Sequence, residues 1–226
     1  NDLSDALNPP VFDGSKLIWG PNKVESSDFD ILRPTFDPFN KTGGIRVLSG
    51  NLGKSIIKIS SVESRNLRVS AKAMVFNSQF EVKAAFDAGF MEKDVVVVVK
   101  GQGPRANGMP ELHSLTPILT VIQDKGFQVA LITDGRMSGA SGKIPAAIHL
   151  YPEAIENGPI NKIRTGDLIT LDASAGTLIH EVNPSSPDTA EVPLAIPTMG
   201  FGRALFSTLR ENSVNAELGG GINTLF

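Results

Sequence analysis

Between Thr133 and Lys143 the chain reads Thr-Asp-Gly-Arg-Met-Ser-Gly-Ala-Ser-Gly-Lys, with hydroxyls at Thr133, Ser138 and Ser141 and charges at Asp134, Arg136 and Lys143. Hydroxyls, charges and glycines gathered in one short loop have the layout of a ligand site. Gly135, Gly139 and Gly142 can take positive φ or let a ligand approach the backbone. The apolar run Phe127 to Ile132 precedes the loop, so a buried strand is expected to empty into it. Pro145-Ala146-Ala147-Ile148 follows, and read as the opening of a helical turn it would offer free N–H groups to an anion, with Lys143 adding an ammonium. The competing reading is an ordinary strand-to-helix turn, with Ser138 bonded to backbone, Asp134 and Arg136 as a local ion pair, and Lys143 solvated.

A second stretch, Gly101-Gln-Gly-Pro-Arg-Ala-Asn-Gly-Met-Pro-Glu111-Leu-His113, also mixes glycines with charge. Glu111 is expected at the start of a short helical turn, where a carboxylate complements the helix dipole. The histidines, His113, His149 and His180, are too dispersed for a metal motif, and His113 is the best placed, two residues from Glu111. Neither Gly142-Lys143 nor Gly53-Lys54-Ser55 is a nucleotide P-loop, because Met137 and Leu48 stand where the first glycine belongs and Ile144 replaces the hydroxyl residue after Lys143.

The elements that must position these loops follow from pattern. Short β-rich runs are expected at Ile45 to Leu48, Ser55 to Ile59, Leu67 to Phe76, Val95 to Val99, Phe127 to Ile132, Leu168 to Leu171 and Thr177 to Val182. Val95 to Val99 has no polar alternation, the mark of a strand covered on both faces. Ser78-Gln-Phe-Glu81 fits a capping box ahead of a helix that Gly89 ends, and Leu115, Leu119 and Ile122 mark a second helix stopping at Gly126, with Thr116-Pro117 as cap and first helical position. Strands interleaved with helices give a mixed α/β class. Residues 1–43, rich in proline and polar residues and with only Lys16-Leu-Ile-Trp19 as an apolar anchor, read as an N-terminal arm or interdomain connection. Residues 44–226 read as the main domain. The 226 residues are 41% hydrophobic with a net charge of −3, enough for one sizeable core and without a footprint for nucleic acid. No apolar stretch reaches membrane-spanning length and the start lacks a signal-peptide order, so a cytoplasmic location is expected.

Asp134-Gly-Arg-Met-Ser-Gly139 resembles the signature of the dihydroxy-acid/6-phosphogluconate dehydratases, and the longer form through Lys143 and Pro145 is similar to the phosphogluconate branch. Gly101 to His113, Gly43-Gly-Ile-Arg-Val-Leu48 with Gly50-Asn-Leu-Gly53, and Gly200-Phe-Gly-Arg203 match further segments of that family, from about Asp30 to Phe206. The resemblance implies a swivelling β/β/α barrel-like domain of mixed strands with flanking helices. It also implies an iron–sulfur hydro-lyase that converts 6-phospho-D-gluconate to 2-dehydro-3-deoxy-6-phospho-D-gluconate and water. It makes Ser138 the base at C2 and Glu111 a Mg²⁺ ligand; for such a substrate the loop's own side chains Arg136, Ser141 and Lys143 read as substrate-binding, with the Lys143 ammonium toward the phosphate.

Cysteine is absent from the sequence, and iron–sulfur clusters are held mainly by thiolates. The expectation is therefore a C-terminal domain, inactive alone, whose own N-terminal domain carries the 4Fe-4S ligands; the resemblance further implies a homodimer for the whole enzyme. The alternatives are another sugar-acid or dihydroxy-acid dehydratase, or a non-catalytic anion-binding or assembly domain of the same fold.

Overall fold

The structure is a computed structural model that describes residues 10–19, 26, 28–138, 142–184, 193–196 and 199–222. It divides into two compact units, Asn1–Gly43 and Gly44–Phe226. In the first, Pro10–Phe12 (β1) pairs antiparallel with Leu17–Trp19 (β2), and the Asp13 carboxylate ties the turn by accepting from the peptide N–H groups of Ser15 and Lys16. Trp19, at the end of that hairpin, is exposed.

The second unit runs β3 (Ile45–Gly50), β4 (Gly53–Lys58), β5 (Arg68–Phe76), α1 (Gln79–Asp87), β6 (Val95–Val99), α2 (Pro104–Asn107), α3 (Leu115–Asp124), β7 (Val129–Thr133), β8 (Ala146–Tyr151), β9 (Leu168–Asp172), β10 (Thr177–Glu181), α4 (Phe201–Leu205) and α5 (Ser207–Glu211). Eight strands close into a barrel in the order β10-β3-β4-β8-β7-β6-β5-β9. The neighbours β5, β6, β7 and β8 are parallel, while β3–β4, β4–β8, β5–β9 and β9–β10 are antiparallel. This is a mixed barrel with flanking helices, in the α/β class expected.

Strand composition explains which part of the wall is covered. In β6 the side chains alternate between two cores: Val96 and Val98 join Ala130, Ile132 and Leu171 inside the barrel, while Val95, Val97 and Val99 pack outside with Leu131, Val82 of α1 and Leu115, Leu119 and Ile122 of α3. A strand buried on both faces needs no polar alternation, and β6 has none. The antiparallel wall has one dry face: along β5, Val69, Ala71 and Ala73 are buried while Arg68, Ser70 and Lys72 face out. At the start of α1 the Ser78 hydroxyl accepts the Glu81 N–H at 3.3 Å and the Glu81 carboxylate accepts from Asn77 N–H at 2.8 Å. The N-cap therefore forms at Ser78, and the reciprocal bond lands one residue before it.

Four local expectations change. Pro145-Ala146-Ala147-Ile148 opens strand β8 and no helical turn, because Ala146 and Ala147 are taken into register with Leu131 and Ile132 of β7. Glu111 begins no helix, and instead bridges in parallel to Arg136. Helix α3 starts at Leu115 with Ser114 as its cap, which leaves Pro117 in the first turn where a missing N–H costs nothing. The short helix α2, closed by left-handed Gly108, was not expected. Among the described residues no helix is long and apolar enough to cross a membrane.

Candidate functional site

Register assembles the site. Strands β6 and β7 run parallel with Val99 opposite Thr133, so the loops leaving their C-terminal ends, 100–111 and 134–138, emerge side by side. The carboxyl ends of parallel strands are where open α/β sheets place their ligands. Thr133 and Asp134 are fully buried, and the Thr133 hydroxyl accepts the Gly135 N–H at 2.9 Å. Gly135 is required for closeness and takes no positive φ: a Cβ there would sit 2.6 Å from the Gln102 Cβ of the neighbouring loop.

Glu111, Arg136 and Ser138 meet on one carboxylate. Arg136 Nη1 donates to Glu111 Oε2 at 2.8 Å, and the Ser138 N–H donates to Glu111 Oε1 at 2.7 Å. A third bond, from Arg136 Nε to the Met109 carbonyl at 2.8 Å, fixes the guanidinium plane, while Leu112 N–H donates to Arg136 O. Ser138 is half-buried, and the Glu111 and Arg136 side chains keep 29% and 49% of their surface, so the cluster is open on one side. Ser138 therefore lies beside an ion pair, with the Glu111 carboxylate accepting its N–H and the Arg136 guanidinium offsetting that carboxylate's charge.

Asp134 does not serve as a partner for Arg136. Its buried carboxylate accepts from Gly101 N–H at 3.1 Å, Gln102 N–H at 2.8 Å and Ala154 N–H at 2.9 Å, clamping the first loop to the second. Burial pushes its carboxyl above the usual range, and those peptide bonds work in the opposite direction. Glu153, which sequence reasoning missed, holds the same loop one turn further on through Arg105 N–H and Ala106 N–H, both at 3.2 Å. Gly103 is kept bare by it, since a Cβ would fall 2.2 Å from Glu153 Oε2.

Burial is also the main reason the Glu153 carboxyl is pushed up to about 7 from 4.5, with Asp134 and Glu156 adding like charge. The folded state thus keeps this proton at a pH where the unfolded chain has released it, so the stability it contributes is full below about 4.5 and is lost as pH rises through about 7. Urea unfolding at pH 5 and pH 8 should show that decline in the native sequence and a flatter profile in Glu153→Gln. An unchanged slope in the variant would assign the decline to other groups.

The remaining candidates fall around this centre. Lys143 is exposed and lines a cleft with Ser61, His113, Thr116, Pro117, Thr120 and Gly142. With a strand following it, there is no helix N-terminus to share the binding of an anion. Ser141, like Gly139, lies outside the described residues. His149 sits at a bulge in β8, where His149 and Leu150 together oppose Ser55 of β4. Its φ of 54° is unusual for a non-glycine residue, and its N–H donates to Gly135 O at 2.8 Å. Burial and then the Arg136 charge hold its imidazole below the ordinary value, so it stays neutral. His180 is elsewhere, paired with Asp167 at 2.8 Å, and its backbone exchanges two hydrogen bonds with the Asn51 side chain. The Gly43–Gly53 segment is therefore part of the barrel wall, whereas Arg203 of the Gly200–Arg203 segment reaches the first loop, donating to Asn107 Oδ1 at 2.6 Å and to Ala106 O at 3.0 Å.

Three of the glycine-rich segments thus converge on one end of the barrel. Residues 30–219 match the family model described as dihydroxy-acid/6-phosphogluconate dehydratase C-terminal. The chain belongs to this family. Among its relatives, the phosphogluconate dehydratase of Zymomonas mobilis is 47% identical over 217 residues, 95% of this chain and 35% of the relative. The enzymes of that name from Pseudomonas aeruginosa and Escherichia coli are 46% and 44% identical, covering 93% and 96% of this chain and 35% and 36% of theirs. The chain spans about a third of the length of the relatives it matches.

The donor set separates what this chain can hold from what it cannot. With no cysteine in the sequence it offers no thiolate to an iron–sulfur cluster. Among the described residues no group of three or more His, Cys, Asp or Glu side chains is placed to hold a metal ion, so Glu111 stands as a single hard oxygen donor and does not make a Mg²⁺ site alone.

Proposed function

We propose that this chain is the catalytic C-terminal domain of a phosphogluconate dehydratase, a hydro-lyase that removes water from 6-phospho-D-gluconate to give 2-dehydro-3-deoxy-6-phospho-D-gluconate in the Entner–Doudoroff route of gluconate utilisation. The observation that carries this reading is the shared carboxylate, on which Glu111 collects the Ser138 peptide and the Arg136 guanidinium. The relatives' common name supplies the substrate.

In this reading Ser138, deprotonated to its alkoxide, takes the C2 proton and becomes a hydroxyl, and Arg136 provides the fixed charge that holds the anion formed next to the substrate carboxylate. Ser141 and Lys143 contribute further polar contacts from the same loop, with Lys143 at the carboxylate end. Glu111 gives an oxygen donor toward Mg²⁺ while it positions Ser138. The 4Fe-4S cluster and the remaining metal donors belong to an N-terminal domain of the whole enzyme, a cytoplasmic homodimer, and this chain by itself is inactive.

Incubating the complete enzyme with 6-phosphogluconate in heavy water tests the assignment: product should form with one deuterium at C3, where the enol takes up a solvent proton as C2 becomes the carbonyl. Turnover of a short-chain dihydroxy acid with none of 6-phosphogluconate would favour the other branch of the family. Lys143→Met should raise KM by about ten- to a hundredfold, the scale of one lost charge-assisted bond of about 1.5–3 kcal/mol. With Lys143 assigned to the carboxylate end in this reading, and not to the phosphate, 6-phosphogluconate and gluconate should lose equally. A selective loss on the phosphorylated acid would move Lys143 to the phosphate, and an unchanged KM would make it a solvated lysine.

A further inference from the structure

Two clefts flank the Glu111 carboxylate, one on each side along the chain. His113, two residues after it, lines the Lys143 cleft, and Met109, two residues before it, lines a cleft of about 440 Å³ whose polar wall is Arg203, Arg210, Asn107 and Ser213. The rest of that wall includes the apolar residues Phe206, Leu209 and Met109.

The two arginines are built in, and they repel each other. Arg203 is pinned by Asn107 Oδ1 and Ala106 O, and Arg210 Nη2 donates to the Arg203 carbonyl at 2.6 Å. Burial and then the Arg210 charge hold the Arg203 guanidinium below its usual range. On its other side Arg210 lines a second cleft with Glu156 and Glu211, but Glu156 is engaged by Arg105 at 2.6 Å, and among the described residues no carboxylate pairs with Arg210. Two arginines lining one cleft suit a tetrahedral dianion, whose several oxygens can accept from more than one donor.

Resting on the dehydratase reading, we infer that the Arg203–Arg210 cleft receives the phosphate of the sugar acid and sets the enzyme's preference for a phosphorylated substrate. Met109 joins the cleft to the reacting centre, because its side chain lines the one and its carbonyl holds the Arg136 guanidinium of the other. Two residues of chain span at most about 7 Å. A six-carbon acid whose C2 lies at Ser138 and whose C6 carries phosphate is long enough to reach from one to the other. The substrate's two anionic ends then occupy the two clefts, carboxylate toward Lys143 and phosphate toward Arg210.

Steady-state kinetics of the complete enzyme, with inorganic phosphate as a competing probe, test this. Arg210→Gln should raise KM for 6-phosphogluconate and the inhibition constant of inorganic phosphate together, each by about ten- to a hundredfold, with a much smaller change for gluconate. Arg210→Lys, which keeps the charge and loses the fork, should fall between the two and guards against a folding defect in the glutamine variant. Equal losses on both acids, or phosphate inhibition untouched by either variant, would overturn the assignment. If the enzyme dehydrates neither acid yet its ³¹P signal from bound inorganic phosphate disappears in Arg210→Gln, the dehydratase reading fails while the anion cleft stands.

Discussion

Ser138→Ala in the complete enzyme should lower kcat by about 10²–10⁴-fold, the range over which a positioned proton-transfer group accelerates a reaction. The substitution removes only the hydroxyl: the Ser138 N–H that donates to Glu111 Oε1 is backbone and survives, and so does the Arg136–Glu111 pair. Folding and substrate affinity should therefore change little, which separates this variant from one that breaks the loop. Exchange of the C2 proton with solvent is the direct readout and should fall with kcat. Native exchange in the variant would mean that another group takes the proton, and neutral His149, beside Arg136, would be examined next.

Asp134→Ala should be the most destabilising single change at this end of the barrel. It strips acceptors from the N–H groups of Gly101, Gln102 and Ala154, inside a structure where the Asp134 side chain meets no solvent. Each orphaned buried donor costs about 1–3 kcal/mol, so a loss of roughly 3–5 kcal/mol is expected after relaxation. For a chain of this size that lowers the midpoint of thermal unfolding by about 10 °C. Calorimetry or thermal denaturation by circular dichroism measures it. Asp134→Asn should lose less, since one acceptor oxygen remains. An alanine variant as stable as the native chain would show that water replaces the carboxylate and that the clamp is dispensable. Activity should fall in step with stability, because the loop that carries Glu111 is anchored through Gly101 and Gln102.

The sequence by itself determined the parts whose cause is local. An unbroken valine run can only be a strand covered twice, and Val95–Val99 is one. Ser78 and Glu81 cap a helix because their side chains reach the first free N–H groups without help from the rest of the chain. The family wording from Thr133 to Lys143 and from Gly101 to His113 likewise marked both loops before any coordinates. Tertiary structure decided whatever depends on which strand lies beside which. Ala146-Ala147-Ile148 fits a helix or a strand equally by composition, and pairing with β7 makes it β8, which removes the helix terminus beside Lys143. The Val99–Thr133 register brings Glu111 to Arg136 and Ser138 from 25 and 27 residues away, and no spacing rule spans such a gap. Glu153, Arg203 and Arg210 carry no motif that names their partners. Their roles come from peptide groups and charges supplied by distant segments, and only the closed barrel puts those within hydrogen-bonding reach.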